Sequence, residues 1–378
     1  MVERAYRYRF YPTAEQENLL RRTMGCVRLV YNKALSVRTK GWYENQERIS
    51  YSKTSSMLTS WKKTEDLNFL NEVSCVPLQQ CLRHLQGAFA NFWGKRTKYP
   101  RFKAKRNGGS AEFTRSAFKY RDGKLVLAKC KEPLNIVWSR HLPDGCTLST
   151  VTVKLEPSGR WFVSLLIDDP TVKPLLKTGR QTGIDAGISR LITTSDGDKI
   201  SNPKHFNRLY QRLKRAQKEL SRKTKGSNNR YKARLKVARI HARIKDARTD
   251  FLHKLTTDLV RAYDLIAMED LAVRNMVKNR KLARSISDAA WGEMFRQLEY
   301  KCEWYGKDLI KVDRFFPSSK RCNHCGYVVD KLPLSVRSWD CPSCRTKGID
   351  RDVNASRNIL AAGLAVKVCG ATRDAKRL

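Results

Sequence analysis

The stretch "CPSCRTKGIDRDVNAS", residues 341–356, joins half of a metal site to an acidic pair at the start of a predicted helix. Its Cys-x-x-Cys can bend two thiolates onto one ion. The acids behind it, Asp350 and Asp352, are unexpected in a chain of formal net charge +40. The function assigned to this acidic pair decides which fold class we predict for the second half of the chain.

The cysteine half of the stretch has a partner upstream. "CNHC" and "CPSC" place Cys322, Cys325, Cys341 and Cys344 in a C-x2-C-x15-C-x2-C pattern. This spacing matches the zinc-ribbon template, in which two knuckles complete a tetrahedron around one ion. Four thiolates leave no position for a substrate water, so the pattern predicts one structural Zn²⁺. His324, inside the first knuckle, is not expected to be a ligand.

Seven further cysteines are scattered along the chain, and an odd, dispersed set is a poor disulfide framework. We expect them to be reduced, small buried hydrophobes. They are Cys26, Cys75, Cys81, Cys130, Cys146, Cys302 and Cys369. With no signal-peptide pattern in "MVERAYRYRFYPT", this predicts a soluble protein of a reducing compartment, the cytoplasm.

The charge balance indicates a polyanionic partner. The chain has 76 Lys and Arg against 36 Asp and Glu, an excess that repels itself in any compact fold. Phosphate backbones are the commonest such partner. A membrane surface is the rival interpretation, but no run of about 18 apolar residues is present. We therefore expect nucleic acid and no membrane.

The first half alternates between strand and helix patterns. "AYRYRF" alternates aromatic residues with arginine, which predicts a strand, and Thr13 with Gln16 forms a candidate capping box. Helical patterns continue to about residue 96. Short strands follow, the last two joined by a turn at "EPSGR", and residues 170–179 read as a linker. A helical segment is thus predicted inside a β-rich unit.

The second half reads hairpin, helices, strand, helix, strand and helix once the cysteine module is set aside. Residues 208–248 form two predicted basic helices with 16 Lys or Arg, whereas a merely solvated helix would mix both signs. "DLIAMED" is a buried strand, and residues 287–306 are predicted as one amphipathic helix. This order suits an α/β nuclease core of the RNase H-like class.

Three acids fall where such a core needs them. Asp185 interrupts the first strand, Glu269 ends the "DLIAMED" strand, and Asp352 lies at the last helix start. Carboxylates from separate elements can converge on hard divalent cations, here two Mg²⁺ or Mn²⁺ ions that activate water and stabilise a leaving 3′ oxygen. Each acid alone could be a turn or cap residue, and Asp350 fits an N-cap. The zinc ribbon is then an insertion that ends just before the acidic pair.

The chain closely resembles the TnpB family, transposon-encoded RNA-guided DNA nucleases related to type V CRISPR effectors. The resemblance covers nearly the whole chain, and its later motifs are the more specific. Those motifs are "GIDAGI", "MEDLAVRNM", "SISDAAWGEMFRQLEYK", "FFPSSKRCNHCG", "CPSC" and "DRDVNAS", with weaker ones at "FYPT", "NKAL" and "YPRFK". It implies that Asp185, Glu269 and Asp352 are catalytic, with Asp352 preferred over Asp350 because it directly precedes "VNAS".

The resemblance also implies an architecture and partners. A wedge-like β-barrel is expected over 1–10 and 106–175, with a helical recognition lobe at 11–105 inserted in it. A RuvC nuclease domain over 176–318 and 349–378 would hold the zinc ribbon, 319–348, as a target-nucleic-acid-binding insertion. A guide RNA from the transposon end and double-stranded target DNA beside a short motif are the implied partners. We expect a monomeric, nucleoid-associated ribonucleoprotein.

Two sets of nucleic-acid contacts are predicted. By position in the family, Tyr51, Ser55, Ser56 and Gln79 would face the target-adjacent duplex, although ordinary helix-surface polar residues would look the same. Lys214, Arg215 and Lys218, on the basic helices, would contact phosphates of the heteroduplex or displaced strand.

Three other functions stay open from the sequence. A non-cutting RNA-guided repressor would have lost the acids, which are all present here. A DNA transposase could use the same core without RNA. A simple zinc-ribbon DNA-binding protein would leave the acids unexplained.

Overall fold

The computed structural model describes residues 2–375, and all side chains among them except those of residue 107 and residues 369–375. The chain divides into two compact units, Met1–Thr171 and Val172–Leu378. The division falls inside the segment 170–179 that the sequence predicts as a linker. Each unit is described by itself.

The first unit contains a strand, three helices and then six strands. In chain order they are β1 Val2–Phe10, α1 Ala14–Asn45, α2 Tyr51–Trp61, α3 Cys75–Trp93, β2 Gly109–Thr114, β3 Phe118–Arg121, β4 Lys124–Leu127, β5 Ile136–Val137, β6 Thr147–Leu155 and β7 Trp161–Asp169.

The opening strand is central to its sheet. The strand order is β2-β6-β7-β1-β5, and β1 pairs antiparallel with β7 along its length. Tyr6, Tyr8 and Phe10 are buried on one face, as the alternation predicts, while Arg7 on the other face pairs with Glu156 at 2.7 Å. Because β1 belongs to the same sheet as β2 and β7, the helices between them are an insertion in a β-rich unit.

The inserted helices share one hydrophobic core with the sheet. The predicted capping box is present: the Gln16 N–H donates to Thr13 Oγ1 at 3.2 Å, and Gln16 Oε1 accepts from the Thr13 N–H at 3.2 Å. Leu20 and Leu35 of α1 and Leu78 of α3 are fully buried in the cluster that also contains strand residues. Helices and strands of this unit are therefore packed together through apolar side chains.

The prediction that the scattered cysteines are buried is wrong for Cys75. Cys26, Cys81 and Cys302 are buried and Cys130 and Cys146 are partly buried, whereas Cys75 is exposed in the first turn of α3. The reason is that Pro77 and Leu78 turn toward the core and leave Cys75 on the outer face. The side chain of Cys369 lies outside the described residues.

The second unit begins with a meander of strands and ends with a long helix. Its elements are β8 Gln181–Ala186, β9 Arg190–Thr194, β10 Lys199–Ser201, α4 His205–Ser221, α5 Asn228–Ala262, β11 Leu265–Glu269, α6 Val273–Met276, α7 Ala283–Ala289, α8 Trp291–Tyr305, β12 Asp308–Val312, β13 Ser338–Trp339, β14 Ile349–Asp350 and α9 Arg351–Ala375.

The five-stranded sheet of this unit is covered by helices on both faces. Its order is β10-β9-β8-β11-β12, with β8, β11 and β12 parallel and β9 and β10 antiparallel to their neighbours. Along β11 the side chains alternate: Ile266 and Met268 pack in a core with α5 and α8, and Leu265 and Ala267 pack in another with α9. A strand buried on both faces reads as a continuous apolar run, which is what "LIAM" shows.

Two helix predictions differ from the structure. Residues 287–306, predicted as one helix, lie in two helices, α7 and α8, because Ala290 between them adopts the left-handed conformation with φ 53°. The second basic helix does not end near Arg248 but continues to Ala262, where Leu259 and Val260 are buried. Within residues 2–375, no helix is long and apolar enough to cross a membrane.

Candidate active site, zinc ribbon and nucleic-acid surfaces

The three predicted acids lie on three neighbouring elements of the second unit. Asp185 is on β8, Glu269 is the last residue of β11, and Asp352 lies in the first turn of α9. The strands β8 and β11 are parallel, and Ile184 pairs with Met268, one residue before each acid. The same ends of adjacent parallel strands thus carry Asp185 and Glu269.

A glycine allows α9 to lie directly on β8. A Cβ built at Gly183 would come within 2.0 Å of the Ser356 carbonyl oxygen and 2.6 Å of the Leu360 nitrogen. These are backbone atoms that cannot move aside, so only glycine permits this approach. The close packing brings the first turn of α9, with Asp352, to the strand that carries Asp185.

The acids influence one another electrostatically. Burial, and then the charges of Glu269 and Asp352, raise the pKa of Asp185 to about 7, while Arg351 acts in the opposite direction. Burial also raises the pKa of Glu269, and a hydrogen bond from Ser318 offsets part of that shift. These partly buried carboxylates are therefore candidate ligands for a cation.

Ser318 connects Glu269 to the last helix. Its hydroxyl donates to Glu269 Oε1 at 2.5 Å. Its carbonyl accepts from Asn358 Nδ2 at 2.8 Å, and Asn354 and Asn358 both donate to the Arg321 carbonyl, at 2.7 and 2.6 Å. Since all three polar residues are buried, these bonds fix the segment that leads into the ribbon against α9.

The two acids of the opening stretch have different surroundings. Asp350 Oδ1 accepts from the N–H groups of Asp352 at 3.1 Å and Val353 at 3.0 Å, so Asp350 caps α9 as predicted. Its other oxygen pairs with Lys199. Although burial opposes it, this pairing and the capping bonds hold the pKa of Asp350 below its ordinary value. Asp352 instead shares the Asp185 environment and lies 3.5 Å from Arg337 Nη1.

The four ribbon cysteines form a closed cluster. Their Sγ atoms all lie within 4.8 Å of one another, with Cys322 to Cys344 at 3.8 Å and Cys325 to Cys341 at 3.6 Å. A tetrahedral zinc site with Zn–S bonds of about 2.3 Å requires S···S edges of about 3.8 Å. The sulfur positions therefore fit one zinc ion, and the four cysteines gather in one cluster as the sequence predicts, while zinc binding itself stays a prediction.

A small apolar core and one arginine attach the ribbon to α9. Trp339 and Ile349 pack against the buried cysteines. The Arg351 side chain, at the start of α9, donates to the Pro333 carbonyl at 2.7 Å, and its N–H donates to the Arg337 carbonyl at 2.9 Å. The ribbon and the helix that carries Asp352 are thus linked through several hydrogen bonds.

The basic helices α4 and α5 form a hairpin with its own core. Leu213 and Ala216 of α4 pack on Ile240 and Ile244 of α5. Lys214, Arg215 and Lys218 point away from these residues and are exposed. At the base of the hairpin, Asp288 accepts from the Phe206 N–H at 3.1 Å, which caps α4.

The four predicted duplex contacts lie on α2 and α3 of the first unit. Gln79 and Ser56 are exposed, and Tyr51 and Ser55 are partly exposed. The guanidinium of Arg83, one turn beyond Gln79 on α3, lies 5.4 Å from the centre of the Tyr51 ring. The contact brings the Tyr51 end of α2 and the Gln79 turn of α3 to one surface.

Several residues of these sites were not found from the sequence. Ser318 and the two asparagines of "VNASRN" bond across the fold, and only the quoted motifs "FFPSSK" and "DRDVNAS" could have drawn attention to them. Arg337 and Lys199 could not be distinguished in the sequence from the many other Lys and Arg residues of the chain. Arg83 could have been found as the i+4 neighbour of Gln79.

Family models match three separate ranges of this chain. Residues 152–280 match a family described as "Probable transposase", residues 291–359 match "Cas12f1-like, TNB domain", and residues 1–47 match "Helix-turn-helix domain". In the structure, residues 2–45 form the strand β1 and the single long helix α1, so no second helix follows a turn there.

Three known proteins match this chain over most of its length. A protein of Streptomyces pristinaespiralis named "Putative RNA-guided DNA endonuclease" is 61% identical over 98% of this chain and 91% of its own length. The Escherichia coli K12 protein of that name with the suffix InsQ is 34% identical over 97% of this chain and 94% of its own length. The solved chain described as "Cas12f1-sgRNA-target DNA complex" has a TM-score of 0.59 at 14% identity, covering 95% of this chain and 98% of that one.

The last similarity shows a shared α/β fold, and the first two decide the family. The chain belongs to the TnpB family, also called OrfB of IS605-type elements.

Proposed function

We propose that this chain is an RNA-guided double-stranded DNA endonuclease, and the name "Putative RNA-guided DNA endonuclease" of its relatives supports the guided nuclease part of the proposal. The observation that carries the proposal is that the charges of Glu269 and Asp352 act on Asp185 at the end of β8, in a sheet covered by helices on both faces. Each acid sits on a separate element, an arrangement in which carboxylates can converge on divalent ions for phosphodiester hydrolysis.

The strand order supports an RNase H-like, RuvC-type core. Numbered within the unit, the strands run 3-2-1-4-5, with strands 1, 4 and 5 parallel. We assign this core to 176–318 and 349–378, the inserted ribbon to 319–348, a wedge to 1–10 and 106–175, and a recognition lobe to 11–105. The same proposal includes closure of the first-unit strands into a wedge-like β-barrel.

The carboxylates fit the divalent ions that the family implies. All three are hard oxygen donors, and burial of Asp185 beside the charges of Glu269 and Asp352 raises its pKa to about 7, a strain that a bound cation would relieve. A pair of Mg²⁺ or Mn²⁺ ions, when bound, supplies activation of water and stabilisation of the leaving 3′ oxygen. Because the charges of both other acids act on Asp185, Asp185 would hold both ions, and Glu269 and Asp352 would each help to hold one.

The protein's own side chains orient this site. Ser318 holds one oxygen of Glu269, which leaves its other oxygen for an ion. Asp350 caps α9 and pairs with Lys199, so it positions the helix and is not assigned to an ion. Arg337 supplies a cation beside Asp352.

The positive charge of the chain and its membership of the TnpB family both support guide RNA and target DNA as the proposed partners. The hairpin of α4 and α5, with Lys214, Arg215 and Lys218 exposed, presents phosphate contacts for a heteroduplex or displaced strand. The zinc ribbon, through its hydrogen bonds to α9, keeps the nucleic acid and the acids in a fixed relation.

The α2–α3 surface is the proposed reader of the target-adjacent motif. Gln79 is exposed on α3 and can pair with adenine in a major groove, while Tyr51, Ser55 and Ser56 are exposed or partly exposed on α2. Gln79→Ala should relax base preference at one position in a cleavage screen on randomised motifs. An unchanged preference would assign Gln79 to the ordinary solvated surface.

The experiment that tests the function is reprogrammed cleavage. The RNA that co-purifies with the protein is sequenced, its guide segment is replaced, and plasmids carrying the new target beside randomised motifs are offered with Mg²⁺. Linear product at the new target, dependent on the guide, is expected. Cutting without RNA would instead indicate a transposase-type strand-transfer enzyme, and guided binding without cutting would indicate a repressor.

A further inference from the structure

The first unit contains an aromatic pocket that the proposed function does not use. It has a volume of about 300 Å³ and lies where the end of α1, the segment after α1 and the end of α3 meet. Most of its lining is aromatic. Trp42 and Trp93 at this pocket are 41% and 51% exposed, and Tyr43 is 75% exposed.

Exposed indoles are costly to leave in water without a use. The burial of a tryptophan side chain is among the largest single contributions to packing, yet these two remain open together. The Trp93 ring packs on Phe89, with 5.5 Å between the ring centres. The Phe89 ring in turn meets Tyr99 edge-on, with 5.6 Å between the ring centres. Trp42, Phe89, Trp93 and Tyr99 form the aromatic platform of the pocket, and the ring contacts pack Trp93 against the rest of it.

An arginine lies under the platform. Arg38 is 6% exposed, its guanidinium lies 4.2 Å from the centre of the Phe89 ring and 5.9 Å from that of Trp93, and it donates to Gln86 Oε1 at 2.8 Å. A buried cation stacked on aromatic rings attracts electron-rich or anionic groups into the pocket.

The surroundings select the class of ligand. Residues 94–106, "GKRTKYPRFKAKR", follow α3 and contribute Tyr99 to the pocket. They carry seven Lys or Arg and no acid. Aromatic platforms beside a basic strip are typical of sites for unpaired nucleic acid, because bases stack on the rings while phosphates contact the cations. An acidic or apolar peptide would use only one of the two features.

We infer that this pocket binds an unpaired nucleotide of RNA by stacking. The inference rests on the proposed function for its RNA partner and adds a site to it. Glu47 favours RNA over DNA: it is the one acid among the lining residues, its Oε1 pairs with Lys53, and a carboxylate accepts hydrogen bonds from a 2′-hydroxyl that DNA lacks.

The test begins with the purified ribonucleoprotein. Its RNA is photo-crosslinked to protein, the crosslinked peptides are mapped, and each crosslinked nucleotide is compared with a chemical probe of pairing. We expect crosslinks in the peptides containing Trp42 or Trp93, from nucleotides that are unpaired. Crosslinks confined to other peptides, or only to paired nucleotides, to added DNA or to another protein, would overturn the inference.

Binding by variants gives the second readout. Trp42→Ala with Trp93→Ala should bind a single-stranded 12-nucleotide RNA about tenfold more weakly, with an unchanged salt slope because phosphate contacts remain. Binding of duplex RNA should not change. Trp42→Phe with Trp93→Phe should retain most of the affinity, which separates stacking from misfolding. Phe69→Ala, an exposed aromatic outside the pocket, is the matched control. Glu47→Gln should reduce the preference for RNA over DNA of the same sequence.

Equal loss for single-stranded and duplex RNA, or no loss in the double alanine variant, would overturn the pocket while leaving the proposed function intact. A wild-type protein that retains no RNA would overturn both.

Discussion

The zinc ribbon and the acid site of the second unit differ in how far apart in sequence their residues lie. The four cysteines come from two short knuckles and gather into a closed cluster whose sulfur spacings already fit one ion. The three acids come from β8, β11 and α9, and among residues 2–375 only the cysteines form a compact set of candidate ligands. Candidate ligands close in sequence thus form a compact cluster, whereas the acids are brought near one another only by the tertiary fold.

The two regions also differ in what supports them. The ribbon has a small apolar core around Trp339 and Ile349, so we expect its folding to depend on zinc. The acid site is supported by a five-stranded sheet and by packing of α9 at Gly183, and its elements should fold without ions.

The largest effect is expected from removing a ribbon cysteine. Structural zinc contributes on the order of 10 kcal/mol to the folding of such modules, so Cys341→Ser should release zinc and unfold residues 319–348. Hydrogen exchange should rise across the ribbon and remain low in β8 and β11. Cys75→Ser, at an exposed cysteine outside the cluster, is the control. A zinc-free ribbon with unchanged protection would contradict the metal dependence.

A smaller effect is expected from neutralising Asp185 in protein that retains zinc but lacks Mg²⁺. The raised pKa means that the folded state prefers the protonated acid, so the charged form lowers stability as pH rises from about 4 through 7. Asp185→Asn should therefore have a thermal midpoint about 2 to 6 °C above wild type at pH 8, and the gap should shrink toward pH 4.5.

Adding Mg²⁺ should reverse that order, because wild type gains stability from an ion that the variant binds poorly. Glu299→Gln, which alters an exposed acid paired with Lys311, is the control. A midpoint that is unaffected by Mg²⁺ in wild type would be evidence against a cation site at Asp185.

Loss of the Ser318 hydroxyl should have a moderate effect on metal use. Removing the bond to Glu269 costs about 1 to 3 kcal/mol, since its acceptor is charged. Ser318→Ala should require a higher Mg²⁺ concentration for half-maximal cutting, and Ser318→Thr should restore wild-type behaviour. Ser319→Ala is the matched neighbour. Equal Mg²⁺ curves for the two alanine variants would show that Ser318 does not position Glu269.

The smallest effect concerns the basic hairpin. Replacing Lys214, Arg215 and Lys218 by alanine should lower the salt slope of nucleic-acid binding by about 2 to 3, one counterion for each lost phosphate contact. Replacing the exposed Lys173 and Lys177, which lie outside the hairpin, tests whether any loss of charge does the same. Matching slopes in wild type and the triple variant would leave this face merely solvated.

Local patterns predicted much of the fold. The alternation in β1, the capping box at Thr13 and the cap at Asp350 depend on residues close in sequence, and all three are present. The break at Ala290 could not be predicted, because an alanine adopts φ 53° only when tertiary packing enforces it. The Ser318–Glu269 bond joins residues 49 positions apart, and no periodicity encodes such a contact.

The acid site was accessible to sequence reasoning for a different reason. Asp185 and Glu269 follow apolar strand runs, and Asp352 opens an apolar helix, so their positions on elements could be assigned, although their mutual distances could not. The aromatic pocket was missed because Trp42, Trp93 and Tyr99 lie on three segments whose local patterns are those of ordinary amphipathic helices and a loop.

The central claim, that Asp185, Glu269 and Asp352 form a nuclease site and Asp350 only caps the helix, is tested most directly by guided plasmid cleavage. Wild type, Asp185→Ala, Asp350→Ala and Asp352→Ala are compared under Mg²⁺, Mn²⁺ and Ca²⁺, with target binding measured in parallel. We expect cutting of both strands by wild type and Asp350→Ala with Mg²⁺ or Mn²⁺ but not Ca²⁺, and target binding without cutting by Asp185→Ala and Asp352→Ala. Full cutting by Asp185→Ala would contradict the site, and loss in Asp350→Ala with retention in Asp352→Ala would exchange the roles of the two aspartates.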